Sequence, residues 1–74
     1  MRVRANLEDE EERVVASVEV ETSERYEVNG WFTTSDGGKY VIAQVTEGEP
    51  PIDVELNAVW MDGPHPSTLV GRQS

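Results

Sequence analysis

From Ile52 to Trp60 apolar and polar residues alternate: Ile52, Val54, Leu56, Ala58 and Trp60 fall on one side of an extended chain, with Asp53, Glu55, Asn57 and Val59 on the other. A period of two is the signature of a strand with one buried face. The same period runs from Arg13, where Val14, Ala16, Val18 and Val20 oppose Val15, Ser17, Glu19 and Glu21, with heavy β-branching. Near the N-terminus Val3, Ala5 and Leu7 alternate with Arg2, Arg4 and Asn6, which predicts a short, half-buried strand with a basic outer face.

Between these lies the stretch that organises the chain, Glu24 to Thr46, which holds most of the aromatic residues. Ser35-Asp36-Gly37-Gly38 is a reversal: Asp bonds its own backbone and Gly supplies positive φ. After it, Val41, Ala43 and Val45 share one face and Tyr40, Ile42 and Gln44 the other, so both faces are partly apolar and the strand belongs inside a sheet. Before it, Tyr26, Val28, Gly30, Phe32 and Thr34 oppose Glu27, Asn29, Trp31 and Thr33. Asn29-Gly30 fits either a tight turn that splits this segment or a Gly-centred bulge in one bent strand; the bent strand is the reading adopted.

Thr22-Ser23-Glu24 reads as a turn, which makes strands two, three and four a meander, and Glu47-Gly48-Glu49-Pro50-Pro51 interrupts the sheet before the fifth strand. The expected fold is therefore all-β: a small five-stranded antiparallel meander, curled into a sheet or small barrel, or completed side by side by a second copy. Residues 1–61 form the single antiparallel domain, and 62–74, turn-rich and unperiodic, an irregular, loosely held C-terminal tail. The expected core is Val14, Ala16, Val18, Val20, Phe32, Val41, Val45, Val54, Leu56 and Trp60.

At 74 residues the chain is near the lower size limit for a core without staples, and it has no cysteine to supply a disulfide or a thiolate zinc site. Packing, salt or a partner must supply stability, so a homodimer is left open. The N-terminus lacks the apolar run of a signal peptide, and no stretch approaches the ~18 apolar residues of a membrane span, so a cytoplasmic protein is expected.

Charge changes the picture most. Fifteen acids against six bases give a net charge of -9, which argues against nucleic acid or an anionic membrane as a direct ligand and for a basic protein surface. Glu8-Asp9-Glu10-Glu11-Glu12 is a solvated run of like charge. Glu19 with Glu21, and Asp53 with Glu55, place carboxylates about 6.8 Å apart along strands, in rows that resemble a phosphate ladder. Five of the six bases are Arg, a balance that a salt-adapted or GC-rich host also produces without functional demand.

Catalytic and cofactor motifs are not found. His65 lies between two prolines, with no cysteine or nucleophile-elbow serine to work with, and reads as an exposed turn residue. Paired carboxylates abound, but a sheet this small offers little cleft in which to raise a carboxyl pKa. The acidic run lacks the spacing of a calcium loop, and Gly37-Gly38 lacks the helix start of a phosphate loop. No enzyme activity, cofactor or metal is expected. Trp31, Phe32, Tyr26, Tyr40 and Trp60 suit a core better than a base-stacking platform, with one of Trp31 and Tyr40 left as an exposed contact anchor.

The expected function is stoichiometric protein–protein interaction, with Glu8, Asp9, Glu10, Glu11, Glu12, Glu19, Glu21, Asp53 and Glu55, and Trp31 or Tyr40, as contact residues. One form of it is DNA mimicry, in which an anionic surface occupies the basic groove of a nucleic-acid-binding complex. Small acidic phage proteins that counter CRISPR or restriction systems work in this way, and the likeness to them is of composition and size alone. The other is a non-inhibitory assembly or adaptor domain whose acidity reflects its host.

Overall fold

The alternating stretches become five strands in the computed structural model, which describes residues 1–71; the last three residues of the expected tail, 72–74, lie outside the described residues. The strands are β1 (Arg2–Glu8), β2 (Val14–Glu21), β3 (Trp31–Thr33), β4 (Lys39–Glu47) and β5 (Val54–Asp62), followed by one short helix, α1 (Ser67–Gly71). They form one curled sheet, a half-barrel, in the order β2-β1-β5-β4-β3.

That order corrects the meander. Strands two and three are not neighbours but the two edges of the sheet, and β1 pairs with β5 in parallel, so the sheet is mixed. The reason lies in which faces need cover. Val3, Ala5 and Leu7 of β1 are completely buried, as are Leu56 and Ala58 of β5, so these strands take the centre. β2 carries Glu19 and Glu21 and tolerates an edge, where charge also discourages stray pairing.

At Asn29-Gly30 the two alternatives, turn and bulge, occur together, in place of the single bent strand expected. The Gly30 N–H donates to the Glu27 carbonyl at 2.9 Å, closing a turn with Asn29 at φ 71°. Asn29 then donates to the Ile42 carbonyl while the Ile42 N–H donates to that of Gly30, so two residues oppose one, as in a bulge. The left-handed residue is the asparagine, which tolerates it. A Cβ at Gly30 would stand 2.9 Å from the Glu27 carbonyl oxygen. The turn also ends the expected long strand: Tyr26 to Val28 are not in the sheet, and β3 is three residues long.

The core on the concave face is built from Val3, Ala5, Leu7, Phe32, Tyr40, Ile42, Leu56 and Ala58, with Val18, Val20, Tyr26, Val45, Val54, Trp60 and Leu69 packed around it. Three irregularities set its phase. Where Leu7 pairs with Ala16 but Glu8 with Val14, one extra residue on β2 turns Val14 out to 55% exposure. A second, at Ala43 of β4, puts Tyr40 and Ile42 inward before it and Val45 inward after it, so Val41 faces out. The third is opposite Lys39-Tyr40, on β5. Val14 and Val41 are thus not core, because one inserted residue exchanges the faces of a strand.

Candidate functional site

The strand order decides what the outer, convex face looks like, because it lays the basic face of β1 between the acidic faces of β2 and β5. Arg4 pairs with Glu19 at 3.3 Å on one side and Glu55 at 3.7 Å on the other. Glu21 receives the N-terminal ammonium at 3.2 Å and Arg2 at 3.7 Å, and the Arg2 backbone N–H donates to Asp53 at 2.7 Å. Glu19, Glu21, Asp53 and Glu55 do come together, but around two arginines, so the rows alternate in sign where an anionic ladder was expected.

The next row is uncharged. Ser17 donates to Asn6 at 2.8 Å, Asn6 to Asn57 at 3.3 Å, and Asn57 to Glu8 at 2.9 Å, a chain of hydrogen bonds across three strands. Glu8 was expected in an exposed connection. It ends β1 instead, 8% exposed, where neighbouring strands shield its carboxylate and Asn57 satisfies it.

Asp9, Glu10, Glu11 and Glu12 form a structured turn. The Asp9 carboxylate accepts the backbone N–H groups of Glu11 at 2.9 Å and Arg13 at 3.1 Å. The Arg13 bond, more than the others, holds the Asp9 carboxyl below its ordinary pKa. Glu11 pairs with Arg13 at 3.0 Å, and Glu12 takes φ 63°. Glu10 meets His65 Nε2 at 2.8 Å, and that hydrogen bond chiefly lowers its pKa. His65 is accordingly not a free turn residue: it is half-buried, bonded to Glu10 and Ser67, with its ring 5.0 Å from that of Trp60. Around it the segment expected as tail holds buried Pro66, and its partly buried Leu69 packs against the core of the sheet.

Of the two aromatic anchor candidates, the structure leaves one exposed. Tyr40 is 1% exposed, edge-on to Phe32 at 6.5 Å in the core, where burial raises its hydroxyl pKa, so it is not a contact residue. Trp31, in the opposite phase on β3, is 59% exposed. Register places it beside Val41, and Val41 beside Val59, so an apolar row crosses β3, β4 and β5 on the convex face. Sequence reasoning missed this row by placing Val41 in the core. Val59 was its visible trace, an apolar residue on the polar face of its strand.

Two hollows flank these rows. A polar notch of about 250 Å³ is lined by Arg4, Glu47, Glu49, Ile52 and Glu55, and a larger cleft of about 310 Å³ opens between the two edge strands. Among the described residues no three His, Asp or Glu side chains converge as a metal-binding group, and no helix is long and apolar enough to cross a membrane. Comparison with protein-family models, curated proteins and solved structures finds no match for this chain.

Proposed function

We propose that this protein acts by stoichiometric protein–protein interaction, docking through the apolar row headed by Trp31, with its acid serving to attract a basic partner. The observation that carries the proposal is a large aromatic side chain, 59% exposed, on a strand paired into the sheet and backed in register by Val41 and Val59. A tryptophan held on a sheet offers much contact area with little conformational entropy left to lose, which suits the anchor of an interface. Exposed carboxylates of the turn Asp9 to Glu12, and those of Glu47 and Glu49 at the other end of the sheet, raise the encounter rate with a basic surface.

Occupation of the basic groove of a nucleic-acid-binding complex is the second reading, favoured by the run of exposed acids Glu10, Glu11 and Glu12. The arginines between the strand carboxylates make it the weaker one. Partner capture from lysate with wild type, Trp31→Ala and a triple Gln variant at Glu10, Glu11 and Glu12 separates the two. The anchor reading expects the partner to be lost with Trp31→Ala, by about 2 kcal/mol or more of binding energy, and retained with the triple variant in moderate salt. Loss with the triple variant, together with displacement by excess double-stranded DNA, would favour the groove instead. A partner that survives both sets of changes would overturn the proposal.

A further inference from the structure

Among the described residues the two outer strands of the half-barrel, β2 and β3, pair with no further strand, and both line one cleft. Its walls are Val18-Glu19-Val20 of β2 and, opposite, Phe32-Thr33 of β3 continued by Thr34-Ser35-Asp36 of the turn that follows. Successive strand residues point to opposite faces. A cleft lined by unbroken runs of consecutive strand residues, Val18-Glu19-Val20 on one side and Phe32-Thr33 on the other, is therefore bounded by the backbone edges of the strands, not by one of their faces.

The direction of the hydrogen-bonding groups along each edge follows from the ladders. Met1 and Thr22 exchange both bonds, at 2.8 and 2.9 Å, so by antiparallel alternation Val20 and Val18 bond to β1 while Glu19 directs its N–H and carbonyl away from it. On the other wall the Thr34 N–H donates to Gly38 at 3.0 Å and the Ile42 N–H to Gly30 at 2.9 Å. Phe32 accordingly bonds to Tyr40, and Thr33 directs its groups away from β4. Beneath these edges the floor is apolar: Phe32, Val18, Val20 and Leu69.

We infer that this seam is a strand-acceptor site, which takes an extended, basic segment of a partner protein between β2 and β3. Paired backbone groups at Glu19 and Thr33 would hold its main chain, alternate apolar side chains would fill the floor, and the intervening basic ones would face out. Charge selects the occupant. Asp36 and Glu19, the latter already paired with Arg4 on the convex side, are on the walls, among the described residues no Lys or Arg lines the cleft, and the chain carries a net charge of -9. A second copy fits poorly, since its β2 would bring Glu19 and Glu21 against their own kind and its β3 is three residues long. The site is separate from the convex row, because it uses strand edges where that row uses a face.

The test is a titration of the ¹⁵N-labelled protein with a blocked peptide of about six residues alternating lysine and valine, a typical strand length. The Glu19 and Thr33 amides should shift on binding and gain protection from hydrogen exchange. N-methylation of alternate peptide nitrogens should weaken binding about tenfold, as expected for the loss of one or two backbone hydrogen bonds. Replacing lysine by glutamate should abolish binding. Thr33→Pro should fold, since its N–H faces away from β4, and should lose affinity to a similar extent. Absence of binding, shifts confined to the acidic turn or the convex row, or equal binding of the N-methylated peptide would overturn the inference, the last by reducing it to charge attraction.

Discussion

Single residues here act more through backbone geometry than through chemistry of their own. The Asp9 carboxylate, accepting two backbone N–H groups, fixes the turn that carries the other acids, and Glu10 ties that turn to His65. Both carboxyls titrate below their ordinary values in the folded protein. Their contribution is therefore present above the ordinary carboxylate range and lost as pH falls through the lowered values. Asp9→Ala should lower Tm at neutral pH, Asp9→Asn should lower it less because an acceptor oxygen remains, and both differences should close in strong acid; thermal melts across pH check this. Two glycines make a second test. Gly37 and Gly63 have φ of 95° and 81°, but a Cβ on Gly37 meets nothing within 4 Å, whereas one on Gly63 would stand 2.5 Å from the Gly37 carbonyl oxygen. Gly37→Ala should cost about 1 kcal/mol for the left-handed conformation alone. Gly63→Ala should cost clearly more, about 2–3 kcal/mol with the added strain, read from urea midpoints.

At the scale of elements, β1 and β2 show how one inserted residue divides apolar positions into core and surface. Leu7→Ala, at a fully buried site, should cost about 2–5 kcal/mol, while Val14→Thr, seven residues on and in an equally apolar run, should stay within about 0.5 kcal/mol; chemical denaturation of both variants decides it. This pair also marks where the sequence stops being legible. Alternation located all five strands, most closely β2, where it runs over Val14 to Glu21 and the strand is found at Val14–Glu21. What alternation specifies is a face, not a neighbour, so nothing in Val3, Ala5 and Leu7 announced that β1 would pair with β5 rather than continue a meander. In β4, where both faces are partly apolar, the bulge at Ala43 left Tyr40 and Val41 equally good core candidates until the pairing with β5 was known. The same ambiguity explains why Trp31 was recognisable as a contact anchor only together with Tyr40. For the carboxylates, exposure of Glu19 and Glu21 was legible but their company was not, since Arg4 reaches Glu19 and Glu55 only once β1 lies between β2 and β5.

For the whole molecule the governing fact is a charge of -9 on a body of 28 × 27 × 20 Å. Several acids, among them Glu12, Glu24, Glu27, Glu47 and Glu49, have no described cation within ion-pair distance, so they repel one another across the fold. At about 0.01 M salt the Debye length of ~30 Å spans the entire molecule, whereas at about 0.15 M it is ~8 Å and reaches only neighbouring groups. Most of the relief from self-repulsion must therefore arrive between those two concentrations. The exposed pairs of Arg4 with Glu19 and Glu55 lose little over the same interval, because surface ion pairs contribute at most about 1 kcal/mol to begin with. We expect the protein to be folded in dilute buffer, its Tm to rise as sodium chloride approaches physiological strength, and the curve to flatten above it. Acidity tuned to a salt-adapted host gives a different curve, with low stability in dilute buffer and a steep gain that continues to about 1 M, beyond the range where screening of this fold still changes. Melting curves over that series distinguish them, and a continued rise would assign the acid to the host and leave Trp31 and its row to account for binding without electrostatic help.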